Sequence, residues 1–506
     1  MSVMDWRWML IFVALPAIFC ATRLNLDLWG DEVYTLFHFA AQPVPGIVTD
    51  YSLPNNHILY SLLIRPVFLV TTDEYLLRLP SLLISVSTLI FTFRLAWLLI
   101  GRDAAAWATW ALGLNVMFQV HTMQIRGYGL SMLLIAVMAN VAVPDWKDSP
   151  PARLVWWRYV GVVLLGAALL YTIPTNALFM APLMIWGVAM TWSTHALRSE
   201  VVKYVLAWLA AWLCGLALYL PILRQLTAHH SPASTISVIH ASREYVVAAN
   251  HDLWPLWLLL PPALIIWRRR TRALPWPTRW ATPFLCLLMF GFPLFACVVL
   301  RTAPFSRNFC PALPFLGLGI AWTMHQLLGP GVPLGRWMRS SAARQWAGCL
   351  ALLALLLPPL LLYPSRLERV RRQRFAQDGY YNYYAARFEP SCVALLLREC
   401  VHPDETYAIC WADRDHYDLA WQFSRVGFPL PPRHVRTGMP SGALFVVLPA
   451  LPDYVDLERS CGLTRETLAS FVPLGECGYF RVLQSPAPQV LASCAPQAPW
   501  RRGLSP

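Results

Sequence analysis

Eleven apolar stretches recur along this chain, near 6–22, 79–101, 104–121, 127–144, 158–173, 175–192, 203–224, 253–267, 281–300, 309–328 and 346–363. Most approach the roughly 17 to 23 residues with which a helix crosses ~30 Å of hydrocarbon. A backbone in lipid must pair its own polar groups, so the repetition predicts a polytopic α-helical membrane protein. The composition agrees: 57% hydrophobic, 13% charged, 24 Trp and a mean hydropathy of +0.47 over 506 residues lie outside the range of soluble domains. No small-residue cleavage site follows the first stretch, and further apolar segments do, so it is expected to remain as a span.

A twelfth apolar segment, 57–70, is short, opens after Asn55 and Asn56 and carries Arg65 near its middle. Counting it as a span would invert every later loop, so the distribution of basic residues decides the matter. With 57–70 lying in the interface and Met1 cytoplasmic, the inner loops hold Arg102, Lys147, Arg153, Arg158, Arg198 and Lys203. They also hold Arg268, Arg269, Arg270, Arg272, Arg279, Arg336, Arg339 and Arg344. The formal charge of +13 is thereby read as topology and lipid-phosphate contact, and nucleic acid is not expected as a partner.

Eleven spans divide the chain into a transmembrane domain, 1–363, and an outer-face domain, 364–506. Arg366, Arg369, Arg371, Arg372 and Arg374 oppose this orientation locally, but the other loops outvote them. In the tail, Leu395–Arg398 reads as helix, while 406–410, 443–448 and 478–483 read as buried strands, giving a small soluble α/β domain. Six of the 12 cysteines lie there (Cys392, Cys400, Cys410, Cys461, Cys477, Cys494), compatible with up to three disulfides.

Polar chemistry collects at the predicted outer face. The first outer loop carries Asp31 and Glu32, then Asp50, Tyr51, Asn55, Asn56 and His57. A carboxylate there suits general-base work on an alcohol or amine; equally, the pair suits the N-terminus of a following interfacial helix. The next outer loop, His121 to Tyr128, contains no acid but offers Arg126 and Tyr128. A guanidinium fork fits phosphate, and snorkelling with an aromatic belt is the competing use. Arg301 and Arg307 close later spans, and 225–252 is a long loop with His229, His230, His240, Glu244 and Tyr245. The cluster Tyr380, Tyr381, Asn382, Tyr383 and Tyr384 reads first as an interfacial anchor.

Taken in order, these positions resemble the GT-C class of integral membrane glycosyltransferases. The likeness is to the protein-mannosyltransferase-like branch (family 39) that also contains lipid A aminoarabinose transferases. Trp29-Gly30-Asp31-Glu32-Val33-Tyr34-Thr35 is similar to its first-loop motif, and Asn56-His57-Ile58-Leu59-Tyr60 to the interfacial element that follows. Arg78-Leu79-Pro80-Ser81, Arg126-Gly127-Tyr128-Gly129-Leu130 and Arg307-Asn308-Phe309-Cys310-Pro311-Ala312-Leu313-Pro314 continue the series, with Asn308 where an aromatic is common. The resemblance covers about 20–320.

It implies a hexosyl- or pentosyltransferase of the cell inner membrane, with the N-terminus cytoplasmic and the C-terminal domain periplasmic. Such an enzyme takes sugar from a polyprenyl-phosphate donor and gives it to a glycan, lipid or protein acceptor, inverting the anomeric centre. Asp31 would be the base and Glu32 an orienting acid, or the reverse, while Asn56, His57, Tyr60, Arg78, Arg126, Tyr128 and Arg307 would bind substrate. Metal-dependent members place further acids in the second outer loop. None occurs between His121 and Leu130, so no divalent metal or other cofactor is expected. The competing readings are a lipid-linked sugar transporter or flippase, and a non-catalytic subunit of an envelope polysaccharide system. A transporter would keep polar groups at mid-membrane, and these spans are nearly free of charge.

Overall fold

The computed structural model describes residues 6–24, 26–51, 56–143, 156–194, 198–228, 237–239, 243, 258–272, 274–302, 306–330, 332, 338 and 340–371. In the C-terminal part it describes 390–400, 407–411, 421–423, 425, 443–449, 463–477 and 480–486. Asn55, His229, His230, His240, Glu244, Tyr245, Arg372, Arg374, Cys461, Cys494 and the 380–384 cluster lie outside the described residues.

The chain is mostly helical. In order come α1 (Trp6–Ala21), α2 (Gly30–Tyr34), α3 (Val44–Thr49), α4 (Ile58–Phe68), α5 (Glu74–Leu99) and α6 (Arg102–Gly113). Next are α7 (Val116–Thr122), α8 (Gly127–Ala142), α9 (Trp156–Thr172), α10 (Ala177–Thr194), α11 (Arg198–Ala217) and α12 (Leu223–Ala228). Then follow α13 (Leu260–Arg270), α14 (Trp276–Leu300), α15 (Leu313–Leu328), α16 (Ser341–Arg371), α17 (Pro390–Cys400) and α18 (Arg465–Leu468).

Two compact units emerge. The first contains Met1–Leu24 and Gln42–Leu361; the second contains Asn25–Ala41 and Leu362–Pro506. The acidic segment that follows α1 therefore belongs to the same unit as the C-terminal residues.

In the first unit, α6 is buried along its whole described length after Arg102, with Ala104, Ala105, Ala106 and Ala108 allowing neighbours to approach. Its two tryptophans tie it to flanking helices: Trp107 Nε1 donates to Gln345 O at 3.2 Å and Trp110 Nε1 to Phe12 O at 2.9 Å. At its start, the Asp103 carboxylate takes the Arg344 guanidinium at 2.8 Å, closing α6 against α16. The expected single span over 104–121 is two helices. The break falls at Asn115, whose side chain accepts the Phe118 N–H and starts α7 as an N-cap. From α7 the chain bends by 112° into α8.

Among the described residues, α5, α11 and Arg279–Leu300 of α14 are each long and apolar enough to cross a membrane, and the bent pair α7–α8 passes the same test jointly. Large apolar side chains point outward on these helices, Leu83, Leu213, Leu287 and Phe295 among them. An apolar outer surface of this kind suits lipid rather than water.

The second unit holds a four-stranded sheet of β1 (Tyr407–Trp411), β2 (Ala443–Pro449), β3 (Val472–Cys477) and β4 (Phe480–Gln484), in the order β1-β2-β4-β3. β1 runs parallel to β2, with Ile409 opposite Phe445; β4 is antiparallel to both its neighbours, with Val446 opposite Leu483. Strand alternation sends Phe445, Val447, Phe480 and Val482 to one face, where Val393, Ala394 and Leu397 of α17 pack with Phe423. Leu444, Val446, Leu448 and Leu483 meet Leu463, Leu468 and Phe471 on the other. The Cys392–Cys477 disulfide fastens α17 to β3.

Candidate active site

In the first unit the site grows from the α7–α8 turn. Gly127 opens α8, and its backbone N–H donates to His57 Nδ1 at 2.8 Å. That approach requires glycine: a Cβ at 127 would stand 2.9 Å from His57 Cβ and 2.8 Å from Thr172 Cγ2. Gly129 answers a similar constraint, since a Cβ there would lie 2.9 Å from Thr122 O across the turn. The two glycines of Arg126-Gly127-Tyr128-Gly129 thus let the chain fold back and let the imidazole settle on the helix N-terminus.

A second chain of bonds holds the turn from the other side. Ser81 Oγ donates to Gln124 O at 2.9 Å, which leaves Ser81 to accept from the Tyr60 hydroxyl at 2.7 Å. Below the first turn of α8, Ser131 Oγ donates to Gly127 O, and Asn176 Nδ2 donates to Ser131 Oγ and Leu169 O. His57, just before α4, and Ser81 of α5 therefore bond directly to the turn, with Tyr60 behind Ser81 and Asn176 behind Ser131.

His57 is 4% exposed, Arg126 1% and Tyr128 2%. The Tyr128 ring stands edge-on to His57, with centroids 4.8 Å apart, and carries the Arg126 Cζ at 5.4 Å from its own centroid. Burial, then the charges of Arg126 and Arg307, hold His57 well below the usual imidazole range, so the ring is neutral. Because Nδ1 accepts from Gly127, the proton of the neutral ring sits on Nε2. Nε2 lies 3.5 Å from Arg126 Nη2. Both atoms bear hydrogen, so this contact is donor against donor, and an oxyanion seated beside the pair would accept from both. The α8 macrodipole adds positive potential at the same place. Tyr51, buried on the loop after α3, also belongs to this neighbourhood: burial, with Tyr128 beside it, pushes its hydroxyl up to about 12 against the opposing influence of Arg126. Gln225 anchors that loop, accepting from Tyr51 N at 2.5 Å and donating to Thr49 O at 2.9 Å.

The two acids belong to the second unit. Glu32 is buried and its Oε2 accepts the Trp29 N–H at 2.9 Å, the reciprocal half of a capping box. Asp31 is half-buried, and its carbonyl accepts the Thr35 hydroxyl at 2.8 Å. The π-helical turn Thr35–Ala40 extends α2. Upstream, the Asp27 carboxylate accepts the Ser391 N–H of α17 at 2.9 Å, and downstream the Phe37 ring meets Trp421 with centroids 5.0 Å apart.

Neither a protein-family model nor a curated protein sequence matches the chain. Solved structures do. The apo crystal structure of ArnT from Cupriavidus metallidurans aligns over 94% of this chain and 97% of its own, with 13% identity and a TM-score of 0.50. The chain has the GT-C fold. ArnT from the same organism bound to undecaprenyl phosphate aligns with a TM-score of 0.48 and 15% identity, over 94% of this chain and 98% of that one. The oligosaccharyltransferase AglB from Archaeoglobus fulgidus, in complex with an inhibitory peptide and a dolichol-phosphate, aligns at 0.45 and 11%, over 83% and 64%.

Set on this GT-C fold, the residues singled out by sequence divide into groups. His57, Arg126 and Tyr128 touch one another, and half-buried Arg307, on the 3-10 segment Ser306–Ala312, acts electrostatically on His57. Tyr60 is buried behind them on Ser81. Asn56 has its amide committed to Ile47 O and Asp50 O, and its Oδ1 accepts from Ser61 Oγ. Arg78 is buried on α5. Asp31 and Glu32 belong to the other unit. Sequence reasoning passed over Asp27, Gln124, Asn176 and Gln225, each an ordinary polar residue whose partner is distant in sequence or a backbone atom.

Proposed function

We propose that this GT-C protein is a membrane glycosyltransferase of the cell inner membrane, moving a hexose or pentose from a polyprenyl-phosphate donor to a glycan, lipid or protein acceptor at the outer face. The observation that carries this reading is the pair of facing donors, His57 Nε2–H and Arg126 Nη2, at the N-terminus of α8. A phosphate oxygen is the acceptor such a pair fits. The order of the five sequence motifs supports the same reading.

In the proposed reaction, Asp31 removes the proton of the acceptor hydroxyl. The oxygen attacks the anomeric carbon, the bond from that carbon to the phosphate oxygen breaks, and its electron pair leaves with the lipid phosphate. Arg126, Arg307 and the neutral His57 donor offset the charge that develops there. One displacement inverts the anomeric centre. Glu32, with its carboxylate on the Trp29 N–H, orients the acid-bearing turn. The reaction is proposed to run without a divalent metal. Eleven spans, an interfacial α4 and a periplasmic C-terminal unit complete the proposed topology, on the distribution of Lys and Arg among the loops.

The test is transfer from a panel of polyprenyl-phosphate sugars by purified protein, comparing wild type with Asp31→Asn, Glu32→Gln and Arg126→Ala, with and without chelator. Loss of turnover in Asp31→Asn with donor binding retained, weakened donor binding in Arg126→Ala, and indifference to chelator are expected. Transfer that survives Asp31→Asn sinks the base assignment, and donor translocation without transfer replaces the enzyme with a flippase.

A further inference from the structure

The first N–H that α17 offers belongs to Ser391, because Pro390 before it has none. That N–H donates to Asp27 Oδ2 at 2.9 Å, across 364 positions of sequence. A carboxylate from the far end of the chain thus performs the work of an N-cap, with the helix macrodipole in its favour. The helix it grips is held to the sheet by a covalent bond and by its apolar face. Cys392 joins it to β3, and Val393, Ala394 and Leu397 are wholly buried on the sheet.

Between Asp27 and the acids there is little slack. Leu28 is buried, the Trp29 N–H is taken by Glu32, and Gly30 already begins α2. Beyond them, within the π-helical turn, Phe37 meets Trp421, itself 3% exposed. Asp31 therefore lies between two fastenings, at 27 and at 37, and both are made to C-terminal residues.

We propose that Asp27 is a positioning residue for Asp31. By holding the N-terminus of α17 it fixes the acid-bearing turn to the C-terminal unit, so that this unit takes part in turnover by holding the base. The inference rests on the assignment of Asp31 proposed above, and its test includes a reading that does not.

Full-length Asp27→Ala, Asp27→Asn and Phe37→Ala proteins would be followed by hydrogen–deuterium exchange and by steady-state transfer. Asp27→Asn keeps a carbonyl acceptor for the Ser391 N–H, and Asp27→Ala does not. Exchange in Asp27→Ala is expected to rise roughly tenfold or more in 26–36 and in 390–400 together, the scale of one lost hydrogen bond to a charged group. Phe37→Ala should loosen 30–41 while leaving 390–400 protected. In turnover, kcat should fall about tenfold in Asp27→Ala with KM for the lipid donor unchanged, and Asp27→Asn should restore most of it. Unchanged exchange at 26–36 in Asp27→Ala overturns the proposal, as does a kcat that falls equally in the Asn and Ala variants. Failure of the base assignment shows separately: Asp31→Asn would then still turn over, while exchange at 26–36 and 390–400 responded to Asp27→Ala all the same.

Discussion

Replacing Gly127 with alanine tests the geometry of the oxyanion site without removing any of its polar groups. The new methyl would meet Thr172 Cγ2 at 2.8 Å, His57 Cβ at 2.9 Å and His57 Cγ at 3.1 Å. Carbon atoms prefer about 3.5 Å or more, so something must retreat by roughly 0.7 Å. Thr172 is held by its hydroxyl, which donates to Ala168 O at 2.8 Å, so the imidazole is the freer partner. For His57, whose Cβ stands at 2.9 Å, the retreat is about 0.6 Å, which would stretch the 2.8 Å bond from Gly127 N to Nδ1 to about 3.4 Å, beyond useful range. Overpacking costs about 1–3 kcal/mol and the lost bond about 1 kcal/mol. Alanine's better helix propensity returns at most about 1 kcal/mol. Net destabilisation of about 1–3 kcal/mol is expected in thermal unfolding. With His57 Nε2–H displaced from the phosphate, a bond worth about 1.5–3 kcal/mol is lost, so a short-chain polyprenyl phosphate should bind about 10- to 150-fold more weakly by calorimetry. Gly291→Ala, where a Cβ meets nothing within 4 Å, is the control and should lose neither. Affinity within twofold of wild type in Gly127→Ala, with unchanged unfolding, would refute the assigned role of this contact.

His57 also predicts a pH dependence. Its value in the folded protein lies well below the reference 6.5, from burial first and then Arg126 and Arg307. The unfolded chain therefore binds the proton first as pH falls: the contribution is complete above pH 6.5 and is lost towards the folded value. Unfolding temperature should decline on acidification below 6.5 less steeply in His57→Gln than in wild type, and an identical slope would count against a neutral buried ring. For the Cys392–Cys477 disulfide, which closes 85 positions, chain entropy assigns about 4.5 kcal/mol. Cys392→Ser should therefore lower the denaturant resistance of the β2 and β4 strands, read by exchange at 443–449 and 480–484, and unaltered protection would contradict that contribution.

Strands and helices of the second unit were legible where burial is continuous. The run Ala443–Leu448 can only be apolar on both faces if both faces are covered, and they are. β3 was not legible, since Pro473 and Gly475 argue against a strand. It tolerates them as an edge strand whose pairing to β4 shifts register between these two residues. In the first unit, the run 104–121 conceals a break because apolar content alone cannot register it. Asn115 was the available signal, an amide inside an otherwise apolar stretch that serves as an N-cap. The sequence raised capping of a following helix as one use of Asp31 and Glu32; the helix begins at Gly30, so both acids lie in its first turn, and Glu32 accepts the N–H of the N-cap residue Trp29. The company those acids keep was beyond reach, because the contact from Asp27 to Ser391 leaves no local pattern at either end.

That contact also sets a timetable for biogenesis. At roughly 5–20 residues per second, synthesis takes roughly 20–70 s to cover the 364 positions that separate Asp27 from Ser391. For nearly all of that interval the nascent chain already carries α2, while the helix and ring that will hold it have not been made. A chain ended between Arg307 and Ser391 would own Arg126, His57 and Arg307 but would lack the residues that fasten the segment carrying Asp31.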